Sequence, residues 1–322
     1  MTAAGTADRS ALVESAREII AEGSQSFAAA SRLFERTTRE RAWLLYSWCR
    51  TADDMTDGQY LGHDAKPGQD MIATQSELEA LTAAALDGEE PVSPPFAALR
   101  QVARETRMPR SFIHDHITGF GMDARGWRPA DVAELLRYCY HVAGTVGCMM
   151  AVVMGVDPAD DDTLDRACDL GIAFQLANIA RDILPDVMAG RCYLPQAWLS
   201  EHRLAEANIS DIRHRRTISR FACRLVELAS AYRMSARVGA ARLPFRSRLA
   251  VLSADAVYGA IGEKVVSLGS EAWNERVHVS RAEKLYLIGL AVTRCFAAPP
   301  AYSREGLWTR PRQSFAGTGA RN

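Results

Sequence analysis

The sequence predicts an all-α chain organised as one domain. Three observations carry that expectation. Apolar residues recur at helical spacing through most of the 322 residues. Tight β-hairpin signals flanked by alternating residues are scarce. Gly 22 and Pro 13 leave room for long regular elements. A hydrophobic fraction of 48% and a charged fraction of 24% lie near the averages for globular domains, so the chain can bury a sizeable core.

Segments 11–21, 26–34 and 39–57 read as helices rich in Ala, Leu, Arg and Glu. Gly62, Pro67 and Gly68 mark a loop over 58–70, and a helix resumes over 71–86. The run DGEEPVSPP from Asp87 to Pro95 breaks the pattern again. Helices are then predicted over 96–106, 110–119, 129–155, 164–184, 217–238, 249–268 and 281–295. Asp160, Asp161 and Asp162 lack the alternation and central Gly of a calcium loop, and are expected to cap the helix that follows. No fixed repeat and no convincing linker divides the chain, which predicts one domain over 10–296. A loose, Pro- and Arg-containing tail over 297–322 is expected to follow it, and its Arg304, Arg310, Arg312 and Arg321 to be solvated or to touch an anionic membrane.

Lys+Arg 38 against Asp+Glu 39 argue against a nucleic-acid binder, whose phosphate contacts demand a basic excess. The seven cysteines are odd in number, scattered and without a C-x-x-C pair, so neither a disulfide framework nor a zinc cage is expected. MTAAGTADRS has no basic start followed by an apolar run, which argues against a secretory signal. The longest largely apolar stretch, 142–156, falls short of the ~20 residues of a spanning helix, and reads as a buried helix. A cytoplasmic protein with peripheral membrane contact is the expectation.

Two segments are unusual for helix surface. In Arg50-Thr-Ala-Asp53-Asp54-Met-Thr-Asp57, Asp53 and Asp57 share a face, with Arg50 one turn earlier. The preceding AWLLYSWC is almost entirely apolar, so these acids need a partner, and a divalent cation supplies one. In Gln175-Leu-Ala-Asn178-Ile-Ala-Arg181-Asp182-Ile-Leu-Pro-Asp186, the residues Gln175, Asn178, Asp182 and Asp186 form a narrow stripe with Arg181 beside it. Either segment alone is equally compatible with an amphipathic surface helix. Facing each other across a bundle, the two make a four-carboxylate cage that needs cations, with Arg50 and Arg181 placed for phosphate oxygens. That is the chemistry of a diphosphate leaving group, and it points to a metal-dependent prenyl-diphosphate enzyme.

Small residues at Ala143, Gly144 and Gly147 follow Tyr138, and either leave room for a hydrocarbon chain or let helices pack closely. Phe27, Trp43, Tyr46, Trp48, Tyr138, Tyr140 and Phe174 are candidates to line a dry cavity for a carbocation, or are plain core. His141 is expected to be packed or hydrogen-bonded, and His114 and His116 to point away from each other. No G-x-G-x-x-G or P-loop is present, so nucleotide binding has no support.

Gly23-Ser-Gln-Ser-Phe27, Trp48 through Asp57, Tyr138 through Gly147 and QLANIARDILPDVMAGRCYLP (175–195) together resemble the squalene/phytoene synthase family, most closely its bacterial phytoene-forming members. The resemblance runs from about residue 10 to 290. It implies an isoprenoid synthase helical bundle with a central active-site cavity. The implied reaction joins two geranylgeranyl diphosphates head to head through prephytoene diphosphate to phytoene, in carotenoid biosynthesis, with Mg2+ (or Mn2+) and without NADPH. It implies that Asp53, Asp57, Asp182 and Asp186 hold the metal ions and that Arg50, Arg181, Asn178 and Gln175 bind diphosphate or orient the metal shell. Ser24, Ser26 and Phe27 match an N-terminal flap. Tyr138 matches a tyrosine near the reacting carbons, and Tyr46, Tyr258 and Arg276 match further diphosphate contacts. A squalene or dehydrosqualene synthase using farnesyl diphosphate, or a non-catalytic assembly factor, are the alternatives.

Departures from the family pattern are Gln25 where Lys is usual, Gly58 where many relatives add an acid, and Pro185. A proline inside a helix costs ~3 kcal/mol and clashes with the carbonyl four residues back, so Asp186 is expected past a kink or at a helix end.

Overall fold

The computed structural model describes residues 8–57, 71–88 and 92–312. Its elements are α1 (Arg9–Gly23), α2 (Gln25–Ser31), α3 (Arg36–Asp57), α4 (Met71–Asp87), α5 (Pro94–Thr106), α6 (Arg110–Ala124), α7 (Val132–Cys139), α8 (Thr145–Val153), α9 (Asp161–Met188), α10 (Gln196–Glu201), α11 (Arg215–Ala240), α12 (Phe245–Leu268) and α13 (Arg281–Phe296). No strand occurs among the described residues. The predicted loop over 58–70 lies outside them.

α9 is the axis of the bundle. It packs on α11 along most of its length, and on α8 and α12 at its flanks. α3 belongs to a second layer with α1 and α5, and α8 touches both α3 and α9. The core between them is continuous: Leu44, Leu45 and Trp48 of α3, Leu99 of α5, Met149 of α8, Ile172 and Leu176 of α9, and Phe221 and Leu225 of α11 are buried in one cluster. No helix among the described residues is long and apolar enough to cross a membrane. The seven cysteines form no disulfide.

The helix predicted over 129–155 is broken by one turn of π-helix, Tyr140–Gly144, between α7 and α8. The small residues after Tyr138 serve close packing. A Cβ on Gly144 would stand 2.8 Å from Cys168 Sγ, one on Gly147 would enter the carbonyl of Ala167, and Gly171 of α9 returns the approach against Ala143. Asp160 caps α9 as expected, its side chain accepting from the Thr163 N–H at 3.1 Å. His114 is exposed and His116 buried on opposite faces of α6, and His141 Nδ1 lies 2.8 Å from the Asp115 carbonyl oxygen.

The tail departs from expectation. Residues 302–312 are strapped against the first half of α9 rather than loose or membrane-facing. The Arg304 guanidinium donates to Asp165 at 2.9 Å and to both oxygens of Asp169 at 2.8 and 2.9 Å. Arg310 pairs with Asp161 and lies 2.9 Å from Asp165, and Arg312 reaches Asp165 at 2.7 Å. Asp165 and Asp169 sit on α9's buried side, so the chain must bring cations to them, and the arginines of the tail do so. Arg321 lies outside the described residues. Removing one partner of a buried pair typically costs about 3–5 kcal/mol. Arg304→Ala is therefore expected to lower unfolding free energy by roughly 3 kcal/mol in urea denaturation, and Arg281→Ala, on exposed surface, by under about 0.5 kcal/mol.

Candidate functional site

Trp43, Tyr46, Arg50 and Asp53 recur along α3 as a partly exposed stripe on a helix that otherwise buries Leu44, Leu45, Trp48 and Ala52. The Arg50 guanidinium is shared within the segment: it lies 3.2 Å from Asp53 and hydrogen-bonds Asp54. Its Nε is buried without an acceptor among the described residues, while Asp53 keeps 48% of its side chain exposed. An arginine with a spare buried donor beside a half-exposed carboxylate suits an oxyanion and a hard cation together. The backbone of Asp57 ends α3; its side chain lies outside the description, as do those of Gln25 and Ser26.

The N-terminal flap leans on this stripe. Gly23 lets the α1–α2 corner approach Tyr46, whose hydroxyl oxygen would stand 2.9 Å from any Cβ there. Ser24 accepts from the Phe27 N–H at 3.2 Å, which fixes the first turn of α2, and its own hydroxyl proton is not used in that bond. The Phe27 ring lies 6.0 Å from that of Tyr46 and is half exposed.

On α9, Gln175, Asn178, Arg181, Asp182 and Asp186 are half-buried between fully buried apolar neighbours, the stripe expected from spacing. The helix bends where Pro185 requires it. Asp182 adopts φ −104, ψ 16, outside the helical region, immediately after Arg181, whose carbonyl the proline ring displaces. Asp186 thus lies beyond the kink in the last turn, as expected. Asp182 is held on two sides: Arg181 Nε donates to both its oxygens at 3.0 Å, and Arg276 reaches them at 3.3 and 3.2 Å from the loop before α13. Arg276 therefore pairs with the α9 acid rather than with Glu271 or Glu275. Against burial, which alone would raise it, these guanidiniums hold the Asp182 carboxyl below its ordinary range. Burial first, and then the charge of Asp182, push Asp186 up to about 7. Tyr258 of α12 stacks on Phe174 at 3.9 Å and hydrogen-bonds Asn178.

A second polar centre joins Tyr138, a candidate from the sequence, to two residues the sequence did not single out. Asp123, in the last turn of α6, accepts from Tyr138 Oη at 2.9 Å and from Tyr193 Oη at 2.9 Å. The Tyr138 ring is stacked between Trp127 at 5.4 Å and Tyr193 at 4.8 Å, and is almost fully buried. Burial, followed by the Asp123 charge, pushes the Tyr138 phenol well above its ordinary value, so it stays protonated. The Asp123 charge also contributes to raising Asp186. Tyr193 stands inside the GRCYLP segment that carries the family resemblance, and that was the available signal. Nothing in the local pattern around Asp123 marks it. Trp48 is fully buried core, and Tyr140 hydrogen-bonds Asp115 and packs on Trp308 at 5.4 Å.

Among the described residues, no three His, Cys, Asp or Glu converge closely enough to form a metal cluster by themselves, and Asp57 is not among the side chains searched. The donor chemistry nevertheless fits Mg2+. Asp53, Asp182 and Asp186 offer hard oxygens, and Asp186 beside Asp182 is a carboxylate that ionises reluctantly until a cation joins it.

This bundle, with carboxylates and guanidiniums gathered on α3 and α9, is that of the isoprenoid synthases. A solved dehydrosqualene synthase in complex with ligand superposes with a TM-score of 0.77 at 25% identity, covering 89% of this chain and 97% of that one. The squalene synthase HpnC from Alicyclobacillus acidocaldarius gives 0.72 at 23% identity over 81% and 95%, a likeness of fold. The family model described as squalene/phytoene synthase matches residues 20–283, and the chain belongs to that family. A 15-cis-phytoene synthase from Enterobacter agglomerans is 46% identical over 298 residues, 90% of this chain and 99% of the relative. One from Paracoccus sp. is 46% identical over 94% and 99%.

The Asp186 shift has a testable sign. An unfolded Asp titrates near ~3.9, so a folded value of about 7 makes protonated Asp186 favour the fold below pH ~4, a contribution lost as pH rises through about 7. In EDTA, the melting temperature is expected to fall over that window. Asp186→Asn removes this part of the slope, and Mg2+ restores stability at pH 8 in wild type but much less in the variant. An unchanged slope in Asp186→Asn would contradict the assignment.

Proposed function

We propose that the chain is a Mg2+-dependent prenyltransferase of carotenoid biosynthesis. It condenses two geranylgeranyl diphosphates to prephytoene diphosphate and then to phytoene. The observation that carries this is near end-to-end identity of 45–46% to curated 15-cis-phytoene synthases, with Asp53, Asp57, Asp182 and Asp186 all retained. Retention of the four acids argues against a non-catalytic assembly factor.

When bound, the metal ions offset the charge of the departing diphosphate, which lets the allylic C–O bond ionise. Asp53, Asp57, Asp182 and Asp186 would hold them. Arg50, with its spare Nε, and the exposed Arg276 would bind diphosphate oxygens, while Arg181 keeps Asp182 ionised. Binding of the diphosphate would draw Arg276 from Asp182 and open that carboxylate to metal. Gln175 and Asn178 would orient the shell, with Asn178 anchored on Tyr258. The flap residues Ser24, Ser26 and Phe27 would close over the diphosphate beside Tyr46.

Tyr138 commits its proton to Asp123, so its oxygen lone pairs are what it can offer to an allylic cation. That suits stabilising and steering the cation rather than donating a proton. The Trp127–Tyr138–Tyr193 stack holds the ring at one angle and helps exclude water from a cation that water would quench. The oily product suggests peripheral membrane contact in the cell.

Purified protein incubated with radiolabelled geranylgeranyl diphosphate and Mg2+, without NADPH, is expected to give a hexane-extractable phytoene peak. EDTA and Asp53→Asn are expected to abolish it. Failure with geranylgeranyl and farnesyl diphosphates alike, in folded protein, would sink the synthase reading, and a product only from farnesyl diphosphate would move it to dehydrosqualene. Tyr138→Phe removes the Asp123 bond and the oxygen but keeps the stack. It is expected to lower kcat by roughly 10²-fold with little change in KM, as in loss of an oxygen aimed at developing charge.

A further inference from the structure

A second place in the molecule gathers guanidiniums around an open space. Between α11, α12, the end of α13 and the loop that follows lies a cavity of about 210 Å³. Its lining includes Arg237, Arg248 and Arg294, contains no acidic residue, and is completed by apolar Met234, Leu252 and Pro299. The space is many times what one water occupies, and large enough for a phosphate group.

Among the described residues, Arg237 and Arg294 share one carboxylate, that of Asp255. Asp255, fully buried, is divided between Arg233 at 2.6 Å and Arg237 at 2.8 Å. It stands 3.9 Å from Arg294, too far for a hydrogen bond. Arg248 spends its two terminal nitrogens on the carbonyls of Ala241, Leu243 and Cys295, which carry no net charge. Its Nε is buried without an acceptor among the described residues. A buried donor left unmade is costly.

The rim is apolar. Phe296 is 77% exposed and its ring lies 5.6 Å from that of Phe245, itself 47% exposed, directly beside the cavity-lining Ala297. Tyr258, which belongs to the α9 site, stands about 15 Å further along α12 than Arg248 at 1.5 Å rise per residue. We propose that this cavity is a second anion site, separate from the α9 site. It takes a phosphate group, and where the ligand also carries an apolar part, that part rests on Phe245 and Phe296. A lipid headgroup and free diphosphate share that chemistry.

Isothermal titration in EDTA separates the two sources, with dihexanoyl phosphatidate and inorganic diphosphate as probes. At least one is expected to bind wild type. Arg294→Gln is expected to weaken it roughly tenfold or more, the scale of a lost charge-assisted bond. Ala298→Trp, which fills the cavity without removing charge, is expected to do the same, whereas Arg276→Gln at the other site leaves this event in place. Phosphatidate binding alone assigns a lipid headgroup, and diphosphate binding alone assigns the free anion. Unliganded melting and phytoene formation are expected to be unchanged in Arg294→Gln. Binding of neither probe, or binding indifferent to Arg294→Gln and Ala298→Trp, would overturn the proposal.

Discussion

α9 must cross the core while carrying acid at both ends, and the cost of burying those carboxylates organises the molecule around it. At the first end, Asp165 and Asp169 are paired with Arg304, Arg310 and Arg312. At the second, Asp182 is paired with Arg181 and Arg276, one neighbouring in sequence and one on an exposed loop. Among the described residues no guanidinium is bonded to Asp186 in the same way, and burial with the Asp182 charge leaves it hard to ionise. One helix thus carries a charge balance closed by the tail at its first end and a looser one, which leaves Asp186 hard to ionise, at its second.

Two departures from regular helix set where the functional groups point. Pro185 bends α9 so that Asp182 leaves the helical conformation and Asp186 follows a changed axis. The π-turn at Tyr140–Gly144 inserts extra arc between Tyr138, which faces Asp123, and Gly144 and Gly147, which must meet α9 closely. An ideal helix from Val132 onward would fix these two relations to each other, and the π-turn lets each be met separately. Strain of this kind is expected at sites where chemistry, not packing, chooses the geometry.

Much of this was legible in the chain. Helical periodicity gave the order of the long elements, and the i, i+4 acids with their arginines identified both polar stripes, because side-chain direction in a helix follows from spacing alone. The kink was readable too, since Pro185 acts on its own helix. What escaped was whatever joins distant segments. Asp123 is one acid among many on α6 until Tyr138 and Tyr193 are folded onto it. The tail looked loose because Pro, Gly and Arg resemble a solvated end, and nothing local reveals that its arginines have buried acids to meet. For Ala143, Gly144 and Gly147, spacing allowed a cavity or close packing, and only the position of α9 decides for packing.

The strap also bears on when the fold can be completed. Asp169 is made well before its partner Arg304, and domains begin to fold from the N-terminus during synthesis. Until residues 304–312 have left the ribosome, Asp165 and Asp169 lack the guanidiniums that meet them in the finished fold. The nascent bundle therefore waits, one face unsealed, for almost the last stretch of described chain.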